Sequence, residues 1–264
     1  MAKQAKNRYA TMIEWIFFLK YSEGDEEITF EREDLERAAK SLRIKLPKNL
    51  GDVIYSIRYR TELPTRILKT QPEGKEWIIE GRGRALYCFR LVTENRIVPN
   101  EQLAAIKVPD ATPEIVSSYA LSDEQALLAK VRYNRLLDIF LGLATYSLQN
   151  HLRTTVKDLG QVEIDEIYVG IDKRGAHFVL PVQAKGGSDQ LSVVQAKQDI
   201  TCCQVKFPHL QCRAISAQFI SADLIALFEL ALDDGMVRIV EEKHYKLVSG
   251  DQITAEDLQM YAMR

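Results

Sequence analysis

Residues 161–185 read QVEIDEIYVGIDKRGAHFVLPVQAK, and two runs in this stretch are rich in β-branched and other apolar residues. The segment 173–175 between the runs suits a three-residue hairpin loop, because Gly175 can adopt the left-handed conformation at its end. Such a loop pairs Asp172 with Ala176, so that opposite residues lie symmetrically about Arg174. The stretch therefore predicts an antiparallel hairpin whose register is set by its turn.

Four polar side chains fall together at the open end of this hairpin. The register places Asp165 opposite Gln183 and Glu163 opposite Lys185, and the strand period of two puts all four on one face. The rest of that face is apolar apart from His177. Buried charge is costly unless it is paired or bound to a metal. We interpret this end of the hairpin as a candidate site; the alternative is a surface hairpin with a Glu163–Lys185 ion pair.

The arrangement resembles the PD-(D/E)XK nuclease superfamily, and within it the type II restriction endonucleases. That family carries an acidic residue on one strand and (D/E)-x-K on the next. Asp165 matches the first position and Gln183-Ala184-Lys185 the second, with glutamine, a known minority variant, in place of the acid. Glu163 and Glu166 are the acids that would supply the missing charge, and Glu163 lies on the correct face. The resemblance covers roughly residues 124–247.

The short motif is common in this chain, and its context separates one occurrence from the rest. Six places fit (D/E/Q)-x-K, beginning at Gln4, Glu73, Gln183, Gln195, Gln204 and Glu241. Only the motif at Gln183 ends an apolar strand that is paired to an upstream acid. We therefore take it as the functional one.

The resemblance implies Mg²⁺-dependent hydrolysis of DNA phosphodiester bonds that leaves 5′-phosphates, with Mn²⁺ as a substitute ion. Asp165 is expected as the principal carboxylate ligand, with the Gln183 side-chain oxygen, the Ala184 carbonyl and Glu163 as further metal ligands. Lys185 is expected to orient the attacking water, to lower its pKa and to neutralise charge on the scissile phosphate. On this view, Gln183→Glu keeps or strengthens the metal-dependent activity.

The second half of the chain predicts an α/β fold, a mixed β-sheet flanked by helices with a restriction-endonuclease-like core. The expected order is a helix over 124–151, the hairpin strands 161–171 and 176–185, a helix from 186 to about 203, a strand over 212–220, a helix over 222–232 and a strand over 237–247.

The first part of the chain predicts an α+β domain that resembles a winged helix. Helices are expected over 33–42 and 50–59, followed by a hairpin over 77–91. Residues 56–96 hold 9 Lys/Arg against 5 Asp/Glu. The candidates for DNA contact are Arg58, Arg60, Arg66, Lys69, Arg82 and Arg84, together with Gln195 and Lys197 on the helix that follows the hairpin site. The alternative is a small domain with a solvated basic face.

Composition supports a folded chain of 264 residues, with 46% hydrophobic and 27% charged residues. The formal net charge of −2 requires any basic surface to be local. No C-x-x-C spacing and no run of about 20 apolar residues occurs, so we expect neither a zinc knuckle nor a membrane span, and a cytoplasmic location. The expected domains are 1–95 (DNA recognition), 96–121 (linker) and 122–264 (catalytic).

Together these features predict a sequence-specific double-stranded DNA endonuclease, a type II restriction enzyme. Because cutting both strands of a palindrome needs two active sites, we expect a homodimer. One alternative is a structure-specific repair or recombination nuclease on the same core. Others are a non-catalytic DNA-binding regulator and a protein-interaction module.

Overall fold

The computed structural model describes residues 7–59, 61–119, 123–157, 159–187 and 189–263. The chain divides into two compact units, Met1–Asn95 with Lys157–Gly160, and Arg96–Val156 with Gln161–Arg264. The elements before residue 96 are α1 (Arg8–Lys20), β1 (Glu27–Glu31), α2 (Arg32–Leu42), α3 (Gly51–Tyr59), α4 (Thr65–Leu68), β2 (Glu76–Gly81) and β3 (Leu86–Val92).

The later part of the chain contains most of the strands. Its first elements are β4 (Arg96–Ile97), β5 (Ala105–Pro109), α5 (Glu114–Tyr119), α6 (Asp123–Tyr133), α7 (Leu136–Leu141), β6 (Ala144–Val156), β7 (Gly160–Ile171) and β8 (His177–Lys185). There follow β9 (Leu191–Ser192), α8 (Val193–Lys206), β10 (Gln211–Cys212), β11 (Ala214–Phe219), β12 (Leu224–Asp233), β13 (Met236–Val248), a 3₁₀ turn (Gly250–Gln252) and α9 (Ala255–Ala262).

The first unit packs its helices on a small antiparallel sheet with strand order β1-β3-β2. The predicted helices α2 and α3 and the predicted β2–β3 hairpin are confirmed. Strand β1 was not predicted; it buries Ile28 and Phe30 and exposes the residues between and beside them. Helix α1 adds Ile13, Ile16 and Phe17 to the same core.

The hairpin that decides the second unit has the predicted register. Strands β7 and β8 are antiparallel, and their paired residues run from Ile171 opposite His177 to Glu166 opposite Val182. Gly175 has a φ of 85°, which is the left-handed conformation that the loop requires. The turn alone thus determined which residues of the two strands face each other.

The hairpin lies within a larger mixed sheet with the strand order β5-β13-β12-β11-β8-β7-β6. Strand β11 runs parallel to β8, and β12 runs antiparallel to β11. One core cluster joins α6 and α7 to the face of β8 that carries Leu180 and Val182. Another joins α8 to the sheet through Ala196 and Ile200. The predicted mixed sheet flanked by helices is therefore confirmed, with α8 packed apart from α6 and α7.

The long helix expected over 124–151 is wrong. Helix α6 stops at Tyr133, α7 ends at Leu141, and strand β6 follows. Arg135 and Gly142 adopt left-handed conformations, with φ of 49° and 65°, and each interrupts the helical hydrogen-bonding pattern. The apolar spacing continued across both breaks, so the sequence pattern did not reveal them.

The helix expected over 222–232 is also wrong, because this run forms strand β12. Six consecutive residues of β12, 225–230, are buried; Ile225 and Leu227 join one core cluster, while Ala226 and Phe228 join the other. A strand that is covered on both faces is apolar throughout and shows no period of two. Length and composition alone did not distinguish it from a buried helix.

Residues 96–121, expected to be a linker, belong to the second compact unit. Strand β4 pairs with β9, and β5 extends the large sheet in parallel to β13. The prolines at 99, 109 and 113 suggested an irregular connection, but Pro109 is the last residue of β5 and does not interrupt it.

No helix within the described ranges has the length and the apolar character needed to cross a membrane.

Substitution of Asp34 tests how much its buried hydrogen bond and ion pair stabilise the first unit. Its buried carboxylate accepts the backbone N–H of Glu31 at 2.9 Å and pairs with Lys20 at 2.9 Å. Burial opposes the charge, but these donors hold the pKa of Asp34 below its ordinary value. We expect Asp34→Ala to reduce the free energy of unfolding by about 2–3 kcal/mol at neutral pH.

The pKa of Asp34 is lowered in the folded state. The stabilisation that comes from its ionisation is therefore present above the ordinary pKa of 3.8 and is lost as pH falls through the folded pKa. Both tryptophans, Trp15 and Trp77, lie in the first unit, so fluorescence during urea unfolding reports on it directly. Glu33→Ala, at an exposed position in the same helical turn, is the control. Equal urea midpoints for Asp34→Ala and this control would contradict the stabilising role of Asp34.

Candidate active site

The open end of the β7–β8 hairpin brings Asp165 to Gln183, Ala184 and Lys185. Beyond the Glu166–Val182 pair, side chains bridge the two strands. The Ala184 N–H donates to Asp165 Oδ2 at 2.9 Å, and Gln183 Nε2 donates to the carbonyl oxygen of Glu163 at 2.9 Å. The predicted proximity of acid, amide and lysine is therefore present in the structure.

Asp165 is half-buried, and its charge is set by several neighbours. Burial raises its pKa above the ordinary value, while the Ala184 N–H and the Lys185 ammonium oppose that rise. Glu124 on α6 adds repulsion, and His151 on β6 reduces the pKa slightly. The carboxylate thus has a cationic side chain and a second acid within electrostatic range.

Gln183 is almost completely buried, with 1% of its surface exposed. Its Nε2 has a second acceptor, Asp199 Oδ2, at 2.9 Å. Its Oε1 is buried and has no hydrogen-bond partner among the described residues. A buried oxygen without a donor is unfavourable unless a cation or water reaches it.

Asp199 on α8 is a site residue that the sequence analysis missed. It is 2% exposed, burial raises its pKa well above the ordinary value, and Asp165 and Lys185 act on it by charge. Its Oδ1 has no hydrogen-bond partner in the described part of the chain. A signal did exist, because Asp199 lies three residues after Ala196 and one before Ile200, on the apolar side of the helix.

Glu163, the expected additional metal ligand, is engaged elsewhere through its side chain. Its carboxylate accepts from Arg153 Nε at 2.9 Å and from Gln161 Nε2 at 2.9 Å. Only its main-chain carbonyl oxygen contacts Gln183. The side chain that adds negative charge beside Asp165 is instead that of Glu124.

Glu166, the other acid considered, pairs with a different set of residues. Its fully buried carboxylate accepts from Arg132 at 2.7 Å and from Ser147 Oγ at 2.6 Å. Arg132 lies on α6, so this ion pair ties the helix to the sheet. Glu166 therefore has a structural role in packing α6.

Helix α6 begins directly against the end of β8. A Cβ added to Gly186 would lie 2.4 Å from the Cβ of Asp123 and 3.4 Å from its main chain. Only glycine permits this approach, and the approach places Glu124 within electrostatic range of Asp165.

The oxygen atoms at this end of the hairpin suit a hard cation. Among the residues that the structure describes, no three His, Cys, Asp or Glu side chains are grouped to hold a metal ion. The candidate metal site contains only one such side chain, the Asp165 carboxylate; its other oxygen atoms are the Gln183 amide oxygen and the Ala184 carbonyl. The buried Gln183 Oε1 without a donor is compatible with an Mg²⁺ ligand, since this ion takes oxygen ligands.

Several predicted DNA-contact residues of the first unit are engaged within it. Arg58 Nε donates to the Ile79 carbonyl oxygen at 2.7 Å. Arg66 pairs with Glu14 at 3.0 Å and lies over the ring of Phe18.

Arg82, at the β2–β3 turn, pairs with Glu27 and with the buried Glu80. Lys69 and Arg84 are exposed, and within the described residues neither side chain makes a hydrogen bond or an ion pair. Arg60 lies outside the described residues. A ligand that binds Lys69 or Arg84 would therefore displace no hydrogen bond or ion pair within the described residues.

Gln195 and Lys197 lie on α8 in the second unit, and both are half-buried. The backbone N–H of Gln195 is capped by Ser192 Oγ at 3.1 Å. These two residues share a helix with Asp199, which connects them to the candidate active site.

Comparisons of the chain with family models, with curated proteins and with solved structures gave no match in any of the three.

Substitution of Gly186 tests the packing that positions Glu124. We expect Gly186→Ala to displace the start of α6 and to lower the free energy of unfolding by about 1–3 kcal/mol, because the added methyl group meets main chain and Cβ. Gly250→Ala is the control, since its added methyl group meets no atom within 4 Å. Equal thermal stability of the two variants would contradict this account.

Proposed function

We propose that the chain is an Mg²⁺-dependent endonuclease of the PD-(D/E)XK type that cleaves double-stranded DNA, as a type II restriction enzyme does. The observation that carries the proposal is the meeting of Asp165, Gln183 and Lys185 at the open end of one hairpin. An acid, an amide with a buried unpartnered oxygen, and a lysine are the groups that this chemistry needs in one place.

The order of elements around the site supports a restriction-endonuclease-like core. Helices α6 and α7 precede the neighbouring strands β6, β7 and β8. Helix α8 then crosses to β11, which is parallel to β8. This order extends the likeness beyond the short motif, which by itself recurs along the chain.

In this mechanism, Asp165, the Gln183 side-chain oxygen and the Ala184 carbonyl would hold the ion. Bound Mg²⁺ supplies positive charge that stabilises the charge developing on the scissile phosphate. Lys185 is half-buried beside Asp165, where its ammonium orients the attacking water and neutralises phosphate charge. Partial burial strengthens both effects, because charges interact more strongly where water is excluded. Attack of water on phosphorus forms a new P–O bond and breaks the P–O3′ bond, so one product carries a 5′-phosphate and the other a 3′-hydroxyl that takes its proton from solvent.

We further propose that the first unit, a winged-helix-like domain, contacts DNA, and that the enzyme acts as a homodimer. Helices α2 and α3 followed by the β2–β3 hairpin support the first point. The second follows from the chemistry, because two strands of a palindrome need two active sites.

Cleavage of unmethylated phage or plasmid DNA by the purified protein with Mg²⁺ tests the proposal. We expect discrete fragments, and we expect Asp165→Ala and Lys185→Ala each to reduce the rate by at least about 10²–10³-fold while retaining most DNA binding. Lys246→Ala, at an exposed strand position, is the control. Cleavage restricted to branched or damaged DNA would indicate a structure-specific nuclease. Binding without cleavage in Mg²⁺ or Mn²⁺ would indicate a regulator.

Lys69 and Arg84 test the proposed role of the first unit. We expect the double substitution to alanine to weaken DNA binding and to reduce the slope of log K against log salt by up to about 0.9 for each phosphate that the protein no longer neutralises. Lys40→Ala, at an exposed position in the same unit, is the control. Unchanged affinity and salt slope would contradict the proposal that the first unit contacts DNA through Lys69 and Arg84.

A further inference from the structure

The amide of Gln183 has an orientation that its neighbours dictate. Its Nε2 is 2.9 Å from Asp199 Oδ2 and 2.9 Å from the carbonyl oxygen of Glu163, and a carbonyl oxygen can only accept hydrogen bonds. The atom that faces them must therefore carry hydrogens, which only the amide nitrogen does. The oxygen Oε1 is left without a hydrogen-bond partner in the described part of the chain.

We propose that Asp199 is a positioning residue that fixes the amide of Gln183 with its oxygen presented to the metal ion, and that this contact is the reason an amide occupies position 183. The part that concerns the ion rests on the proposed function. The part that concerns the choice of side chain rests only on the contacts between the two residues.

The contacts explain why a carboxylate does not suit this position. A glutamate at 183 has the same shape but no N–H, so one of its oxygens would lie about 2.9 Å from two acceptor oxygens. Two acceptors would then lose their donor, and one of them belongs to the buried acid Asp199. The expectation from the motif alone, that Gln183→Glu keeps or strengthens activity, is thereby reversed.

The position of Asp199 is itself set by α8. Ser192 caps the helix at its first turn, and Ala196 and Ile200 anchor it to the sheet on either side of Asp199. The side chain of Asp199 is 2% exposed, so it is not free to turn towards solvent. The helix thus holds an acceptor at a constant distance from the end of β8.

A double-mutant cycle without metal tests the pairing. We expect Gln183→Glu to lower the melting temperature by roughly 5 °C, because two acceptors are left facing a third. Asp199→Asn alone should change it little, since the new amide can still accept through its oxygen. The combined variant should recover at least half of the loss, because the new asparagine amide donates to the new carboxylate. Asp251→Asn, at an exposed position, is the control.

Binding of Mn²⁺, measured by calorimetry, tests the role towards the ion without relying on cleavage. We expect Asp199→Ala to weaken Mn²⁺ binding by about 10–100-fold, as removal of a residue that orients a ligand does. If Asp199→Ala does not fold, the same measurement on Gln183→Glu and on the combined variant replaces it, with tighter binding expected for the combined variant.

The outcomes separate this inference from the proposed function. If the wild-type protein neither binds Mn²⁺ nor cuts DNA, the proposed function and the ion-directed part of the inference both fail, and the unfolding cycle still decides the pairing. If the wild type cuts DNA but the combined variant is no more stable than Gln183→Glu, the pairing is overturned. Normal Mn²⁺ binding by Asp199→Ala would overturn the positioning role.

Discussion

At the open end of the β7–β8 hairpin, hydrogen bonds from side chains to the main chain replace the main-chain pairing of the strands. The candidate site depends on these side-chain hydrogen bonds. Up to the Glu166–Val182 pair the two strands align residue by residue. Beyond it the Asp165 carboxylate takes the N–H of Ala184, and the Gln183 amide donates to the Glu163 carbonyl oxygen. The groups assigned to chemistry are therefore also the groups that hold the strands together, so their geometry is built into the fold.

Helices on two sides complete this arrangement. The start of α6 packs against Gly186 and brings Glu124 into range of Asp165. Helix α8 contributes Asp199, which bonds to Gln183. The charge of Lys185 acts on both Asp165 and Asp199, and burial raises the pKa of each acid. Burial thus disfavours the charged form of both acids, and a neighbouring positive charge favours it.

The hairpin could be predicted from the sequence because a three-residue loop ending in glycine permits only one register. Asp199 was missed although its spacing from Ala196 was a signal, because Lys197 and Gln198 beside it make that stretch of α8 resemble an exposed surface. The contact of Arg58 with the Ile79 carbonyl was not predicted for a related reason: a count of charged residues does not distinguish a guanidinium that binds a carbonyl from one that faces solvent. Strand β12 was misassigned because burial on both faces removes the alternation that identifies a strand.

The pairing of β5 with β13 joins residues 105–109 to 244–248 and completes one side of the large sheet. During synthesis, β5 leaves the ribosome long before its partner exists, so this edge closes only after residues 244–248 have been translated. Contacts so distant in sequence make assembly of the second unit slow relative to the first, whose strand pairs are all local to residues 27–92.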